Sequence, residues 1–218
     1  MPSFDDSFWR TAQGQKMKQK PLPAGKILIA SLVINAALLV PLTVSEHLRW
    51  RYAQTVSIWA SHFRQPKYVF IGDSLTAGGR MFGRPDTVNL GSNGLTTHQI
   101  ASGLHGADKY KPRHVVVMAG TNDSFEDFDA DRMRKDWETI AADPRTIIVL
   151  APPTQTAQAN ERITQINAIA TRAAKQNGKK PLVLTELRGP HGLLRARYSV
   201  DGVHITDDAY EFWKQRLP

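Results

Sequence analysis

The 218-residue chain contains no cysteine. Disulfides, thiolate metal sites and a cysteine nucleophile are therefore excluded, while the compartment is left open, since a cysteine-free chain suits oxidising and reducing surroundings alike. Internal repeats and low-complexity tracts are also absent, as is a glycine-rich phosphate loop of either standard type. His, Asp and Glu do not cluster in the sequence as metal ligands do, so neither a metal nor a cofactor is expected. Acidic residues are scarce at one end. Through residue 68, nine Lys and Arg face only Asp5, Asp6 and Glu46, a net charge of +6, whereas residues 69–218 carry +2. The overall +8 thus lies mostly outside the larger part of the chain, and no nucleic-acid partner is expected.

Charge of either sign is missing altogether from Ile27 to Ser45. As a helix this stretch would be about 28 Å long, close to the hydrocarbon thickness of a bilayer. A buried core helix would show a polar face. A cleaved signal peptide would have a shorter apolar region, a shorter leading arm and a small-residue cleavage site. The expectation is an uncleaved transmembrane signal anchor over 27–45, preceded by a basic N-terminal arm over 1–26. Asn35 and Pro41 are tolerable in a single span. Five basic residues precede it and Arg49 and Arg51 follow, so the positive-inside rule favours a cytoplasmic N-terminus. The remainder would then face the periplasm or cell exterior. Residues 46–66 read as a juxtamembrane helix, with Leu48, Tyr52, Val56, Trp59 and Phe63 spaced four, four, three and four apart. It would either lie at the membrane surface or continue the anchor and pack on the domain; Pro66 ends it.

From 67 to 218 the pattern alternates strand and helix. Strands are expected at Tyr68–Ile71, Thr87–Leu90, His114–Ala119, Thr146–Ala151 and Pro181–Leu187. Most are short and apolar throughout, as strands covered on both faces must be. Helices are expected at 96–110, 129–142, 160–177 and 207–217. The fold class that follows is α/β: five parallel strands, doubly wound, with reactive groups at their carboxyl ends.

Those ends carry Gly72-Asp73-Ser74-Leu75, Asn89-Leu90-Gly91-Ser92-Asn93-Gly94 and Gly120-Thr121-Asn122-Asp123. Asp201-Gly202-Val203-His204 precedes the last helix. Singly, each has an ordinary explanation: a helix cap, a turn, a capping pair. Together they supply what acyl transfer needs. Ser74 would attack the acyl carbon, His204 would take its proton, and Asp201 would orient the imidazole. The N–H groups of Ser74 and Gly91 and the Asn122 side chain would receive the oxyanion. Asp73 and Asp123 read as turn residues, and Arg195 and Arg197 as part of a solvated loop.

The ordered set resembles the SGNH hydrolases, also called GDSL esterases and lipases, over residues 68–218. Two positions depart from the family pattern: Ile205 where proline often follows the histidine, and Ala209 where glycine often precedes the tyrosine, here Tyr210. The resemblance implies a flavodoxin-like three-layer α/β/α sandwich. It also implies metal-free ester hydrolysis by Ser74, Asp201 and His204, with Ser74, Gly91 and Asn122 as the oxyanion hole.

The resulting expectation is a membrane-anchored serine esterase acting on acyl esters of small molecules, lipids or envelope polysaccharides. Two alternatives share the fold: acyl transfer to a sugar, and a non-catalytic binding or scaffold module. Oligomeric state is left open by the sequence. The anchor has a direct test. Alkaline or urea washing should leave the full-length protein in the membrane fraction, and external protease should digest residues 67–218 in spheroplasts. Release by washing would contradict a span.

Overall fold

The computed structural model describes residues 65–79 and 86–218. The expected basic arm, anchor and juxtamembrane helix up to residue 64 lie outside the described residues. Among the described residues no helix is long and apolar enough to cross a membrane.

Four strands, β1 (Tyr68–Gly72), β2 (Thr87–Asn89), β3 (His114–Ala119) and β4 (Thr146–Leu150), form one parallel sheet in the order β2-β1-β3-β4. The register aligns Val69 with Val115, and Val115 in turn with Thr146. Strand alternation sends odd and even positions to opposite faces. Val69, Ile71, Val115 and Val117 point into one core with Ile100, Leu104, Met133, Trp137, Ile140 and Ile166. Phe70, Val116 and Met118 point into the other with Leu75, Leu187, Tyr198, Tyr210 and Trp213. Covering both faces is what makes the strands read as unbroken apolar runs.

The helices are α1 (Ser74–Ala77), α2 (Thr97–Ser102), α3 (Ala130–Ala142), α4 (Ala157–Gln176) and α5 (Asp207–Gln215). Caps account for their starts. Asp129 accepts from Asp131 and Arg132 N–H at the head of α3, and Thr96 with Gln99 forms a capping box on α2. The helix expected over 96–110 is two pieces. It breaks at Gly103 and continues as a 3-10 turn from Leu104 to Tyr110. Glycine carries the weakest helical preference of the ordinary residues, and the tighter turn still buries Leu104, Ala107 and Tyr110.

The fifth strand is corrected to a single bridge. Leu182 pairs with Val149, donating to Ile148 O at 2.8 Å and accepting from Leu150 N at 2.9 Å. The chain then leaves the sheet, and Thr185–Leu187 forms a 3-10 turn. Leu184 and Leu187 are buried and Val183 is exposed, a spacing of three that suits a 3-10 turn and not a strand.

Ile166 of α4 is fully buried in the first core and lies against Gly120, at the end of β3. Ile166→Ala should lower the unfolding free energy by about 2–5 kcal/mol. Chemical denaturation should show this as a lower midpoint at unchanged m-value.

Candidate active site

The chain delivers Ser74 at the point where β1 ends. Gly72 is the last strand residue, Asp73 is extended, and Ser74 opens α1. The turn is tight. A Cβ on Gly72 would lie 2.0 Å from Thr76 Oγ1 and 2.6 Å from Met118 O, so glycine is required for close approach. Asp73 caps the helix, its Oδ1 accepting the Leu75 N–H at 3.0 Å.

The last segment of the chain brings the partners. Ser74 Oγ lies 3.0 Å from His204 Nε2, across 130 residues of sequence. His204 Nδ1 lies 2.7 Å from Asp201 Oδ2. Asp201 uses its other oxygen, Oδ1, to accept the N–H groups of Val203 at 3.0 Å and His204 at 2.8 Å. One carboxylate therefore builds the turn and aims the ring. These contacts, the His204 N–H first, pull the Asp201 carboxyl down to about 2. Ionised, it can only accept, so Nδ1 carries the proton and Nε2 faces the serine as an acceptor. The turn needs its glycine: Gly202 sits at φ +95°, and its N–H donates to Ser199 Oγ at 2.7 Å.

Asn122 follows β3 and donates to Leu95 O at 2.9 Å. The amide carries a second N–H, so one donor remains. Ser74 N–H stands at the first helical position, where no carbonyl of the same helix can reach it. Gly91 differs from expectation in one respect: its N–H is already engaged, donating to Asn89 Oδ1 at 2.8 Å. Its missing Cβ makes room for the backbone of α1, since a Cβ would lie 2.5 Å from Ala77 N. Asn89 is the residue that composition and spacing did not mark. Nearly fully buried at the end of β2, it also donates to Thr76 O at 2.8 Å and so ties α1 to the Gly91 loop. A strand-end asparagine inside an apolar run was its only signal.

Of the two aspartates read as turn residues, Asp73 caps its own turn, whereas Asp123 Oδ2 reaches across 26 residues to accept the N–H and hydroxyl of Thr97, the first residue of α2, at 2.9 and 3.0 Å. Asp73 is fully buried, with Oδ2 lacking a hydrogen bond and the Thr121 hydroxyl alongside. Burial pushes its carboxyl up to about 6, against the pull of the Leu75 N–H. Of the loop arginines, Arg195 donates Nε–H to Arg188 O at 2.9 Å and Arg197 lies over the Tyr198 ring. Both are exposed.

Residues 70–212 match the profile of the GDSL-like lipase/acylhydrolase family. The chain belongs to this family. Its members are ester-hydrolysing enzymes in kind, and the parallel α/β fold agrees. Among solved structures, a GDSL-like lipase from Bacteroides thetaiotaomicron is similar at 23% identity and TM-score 0.59, over 75% of this chain and 93% of that one. The lipase/acylhydrolase of Enterococcus faecalis is similar at 22% identity and TM-score 0.54, over 69% and 92%. An α/β hydrolase from the Lake Arreo metagenome matches at 20% and 0.53, over 68% and 91%. At such identities the likeness is one of fold. No curated protein matches the chain.

Asp73 makes stability depend on pH. Its carboxyl titrates at 3.8 in the unfolded chain and at about 6 in the folded one. Between these values the folded state holds the extra proton, so stability falls as pH rises from about 4 to about 6 and stays lower above. The loss is on the order of 3 kcal/mol. Asp73→Asn keeps the acceptor for Leu75 and gives Thr121 a donor. Urea denaturation from pH 4 to 7 should show the variant gaining on wild type through that interval. A difference independent of pH would refute the assignment.

Proposed function

We propose that the protein is a serine esterase that works through an acyl-enzyme. The observation that carries this reading is the continuous relay from Asp201 Oδ2 through His204 to Ser74 Oγ, with contacts of 2.7 and 3.0 Å. Ser74 Oγ attacks the acyl carbon as His204 Nε2 takes its proton. Ionised Asp201 stabilises the imidazolium. The oxyanion is received by Ser74 N–H and the second N–H of Asn122 Nδ2. Gly91 N–H joins them when the developing anion, a stronger acceptor than a neutral amide oxygen, draws it from Asn89. The imidazolium then protonates the leaving alcohol. Water, deprotonated by the same histidine, releases the acid.

Openness favours hydrolysis over transfer to a sugar. The side chains of His204 and Asp201 are 45% and 52% exposed, so water reaches the base directly. It also favours an ester carried on something large, such as an acylated (including acetylated) polysaccharide or a lipid. The uncharged stretch Ile27–Ser45 supports tethering in the cell membrane with the domain on the outer side, which is where such esters lie.

A fluorophosphonate probe tests the reading. Wild type should be labelled and Ser74→Ala should not; well-folded wild type that resists the probe would overturn the claim. Ser74→Ala and Asp201→Asn should each lower kcat by about 10³–10⁴-fold or more, the latter through the wrong imidazole tautomer. An acyl series from acetyl to palmitoyl then ranks the substrates.

A further inference from the structure

Tyr210 lies on α5, six residues after His204. Its hydroxyl donates to Leu75 O at 2.7 Å, next to the nucleophile and 135 residues away in sequence. That carbonyl belongs to a helix of one turn. Gly79 N–H, the donor a longer helix would send to it, goes instead to Thr76 O at 3.1 Å. The phenol is buried, and that burial, with the charges of Asp73 and Asp207, raises its pKa. It therefore remains a donor at any working pH.

The ring is fixed as well. It stacks on Trp213 at 6.2 Å and 22°, and Trp213 meets Phe70 of β1 edge-on at 6.2 Å and 76°. Position 78 leaves the slot for the hydroxyl: a Cβ on Gly78 would lie 2.8 Å from Tyr210 Oη, while the next backbone atom, Ser74 O, is 3.2 Å away. On the other side Tyr210 N–H donates to Thr206 O, and Thr206 N–H to Tyr198 O, both at 3.1 Å. α5, which follows the turn bearing His204, thus meets the helix bearing Ser74 at a buried hydroxyl.

We propose that Tyr210 is a positioning residue whose hydroxyl braces α5 against α1 and so sets the distance between Ser74 and His204. The proposal rests on the reading of these two residues as nucleophile and base. It is tested in the full chain with Tyr210→Phe, Gly78→Ala and the double variant. The readouts are the second-order rate of fluorophosphonate labelling, kcat and KM on p-nitrophenyl acetate, and thermal unfolding. Tyr210→Phe should slow labelling and kcat about ten- to hundred-fold, the cost of a small misplacement of the reacting groups, with KM within about two-fold. Gly78→Ala has a helical backbone that accepts alanine (φ −74°, ψ −9°). It should slow both rates by displacing the hydroxyl, and should add little in the Tyr210→Phe background, because the group it strikes is gone. Wild-type rates in Tyr210→Phe, or a full Gly78→Ala loss that persists in the double variant, would overturn the brace. Failure of wild type to label would remove the esterase reading itself, and the brace with it.

Discussion

Three backbones meet at the start of α1. The helix runs between the end of β1 and the loop after β2, so closely that a Cβ on Gly72 or on Gly91 would lie within 3 Å of it on either side. Asn89 closes the arrangement, donating to Thr76 O and accepting from Gly91 N–H. Ser74 thereby opens a tightly wedged helix, directly after a strand whose two faces are both in the core. An attacking hydroxyl depends on that kind of restraint. Displacement of reacting atoms by an ångström can cost about a hundred-fold in rate, and a one-turn helix has little stability of its own to resist it.

The other half of the site is built differently. His204 and Asp201 lie on an exposed turn outside regular structure, yet that turn is stitched at several points. Val200 N–H donates to His204 O at 2.8 Å, Gln155 N–H to Gly202 O at 2.7 Å, and Ser199 bridges Ile205. Gln155 belongs to the loop after β4, so that loop also helps to hold the turn that carries His204. Loops placed by a rigid scaffold are where substrate choice can vary at little cost to the fold. Here residues 188–200 form such a loop beside His204, while Ser74 directly follows a strand of the core.

Much of this was legible in the sequence because the signals were local. β3 runs from His114 to Ala119 as the apolar run predicted, and α3 follows the cap at Asp129. Three of the four motif blocks lie at the expected strand ends and the fourth lies just before the last helix, as the sequence placed them. What failed was non-local or finely balanced. Pro181–Leu187 has strand composition, but burial of Leu184 and Leu187 on one side favours a 3-10 turn once Leu182 has made its bridge. The N–H of Gly91 looked free because its acceptor, two residues back, is a side chain whose direction no periodicity reveals. Asn89 and Tyr210 act across 13 and 135 residues, and a single sequence carries no mark of such pairs. The anchor over 27–45 remains a reading of composition alone.

Two aspartates lie beside Ser74 and His204, and their environments drive them apart. Asp201 is half exposed and meets the N–H groups of its own turn, so its charge is kept down to pH about 2. Asp73 precedes the nucleophile and is fully buried, so its carboxyl keeps its proton up to about 6. A negative charge on Asp201 lies 2.7 Å from His204 Nδ1 and half in solvent. A negative charge on Asp73 has the Leu75 N–H beside it but no solvent to screen it. Burial makes that charge costly near Ser74, whereas exposure and three hydrogen bonds make it cheap at Asp201. The same residue type thus holds its charge down to about pH 2 in one place and takes up a proton near pH 6 in the other, and solvent access and hydrogen bonds decide which.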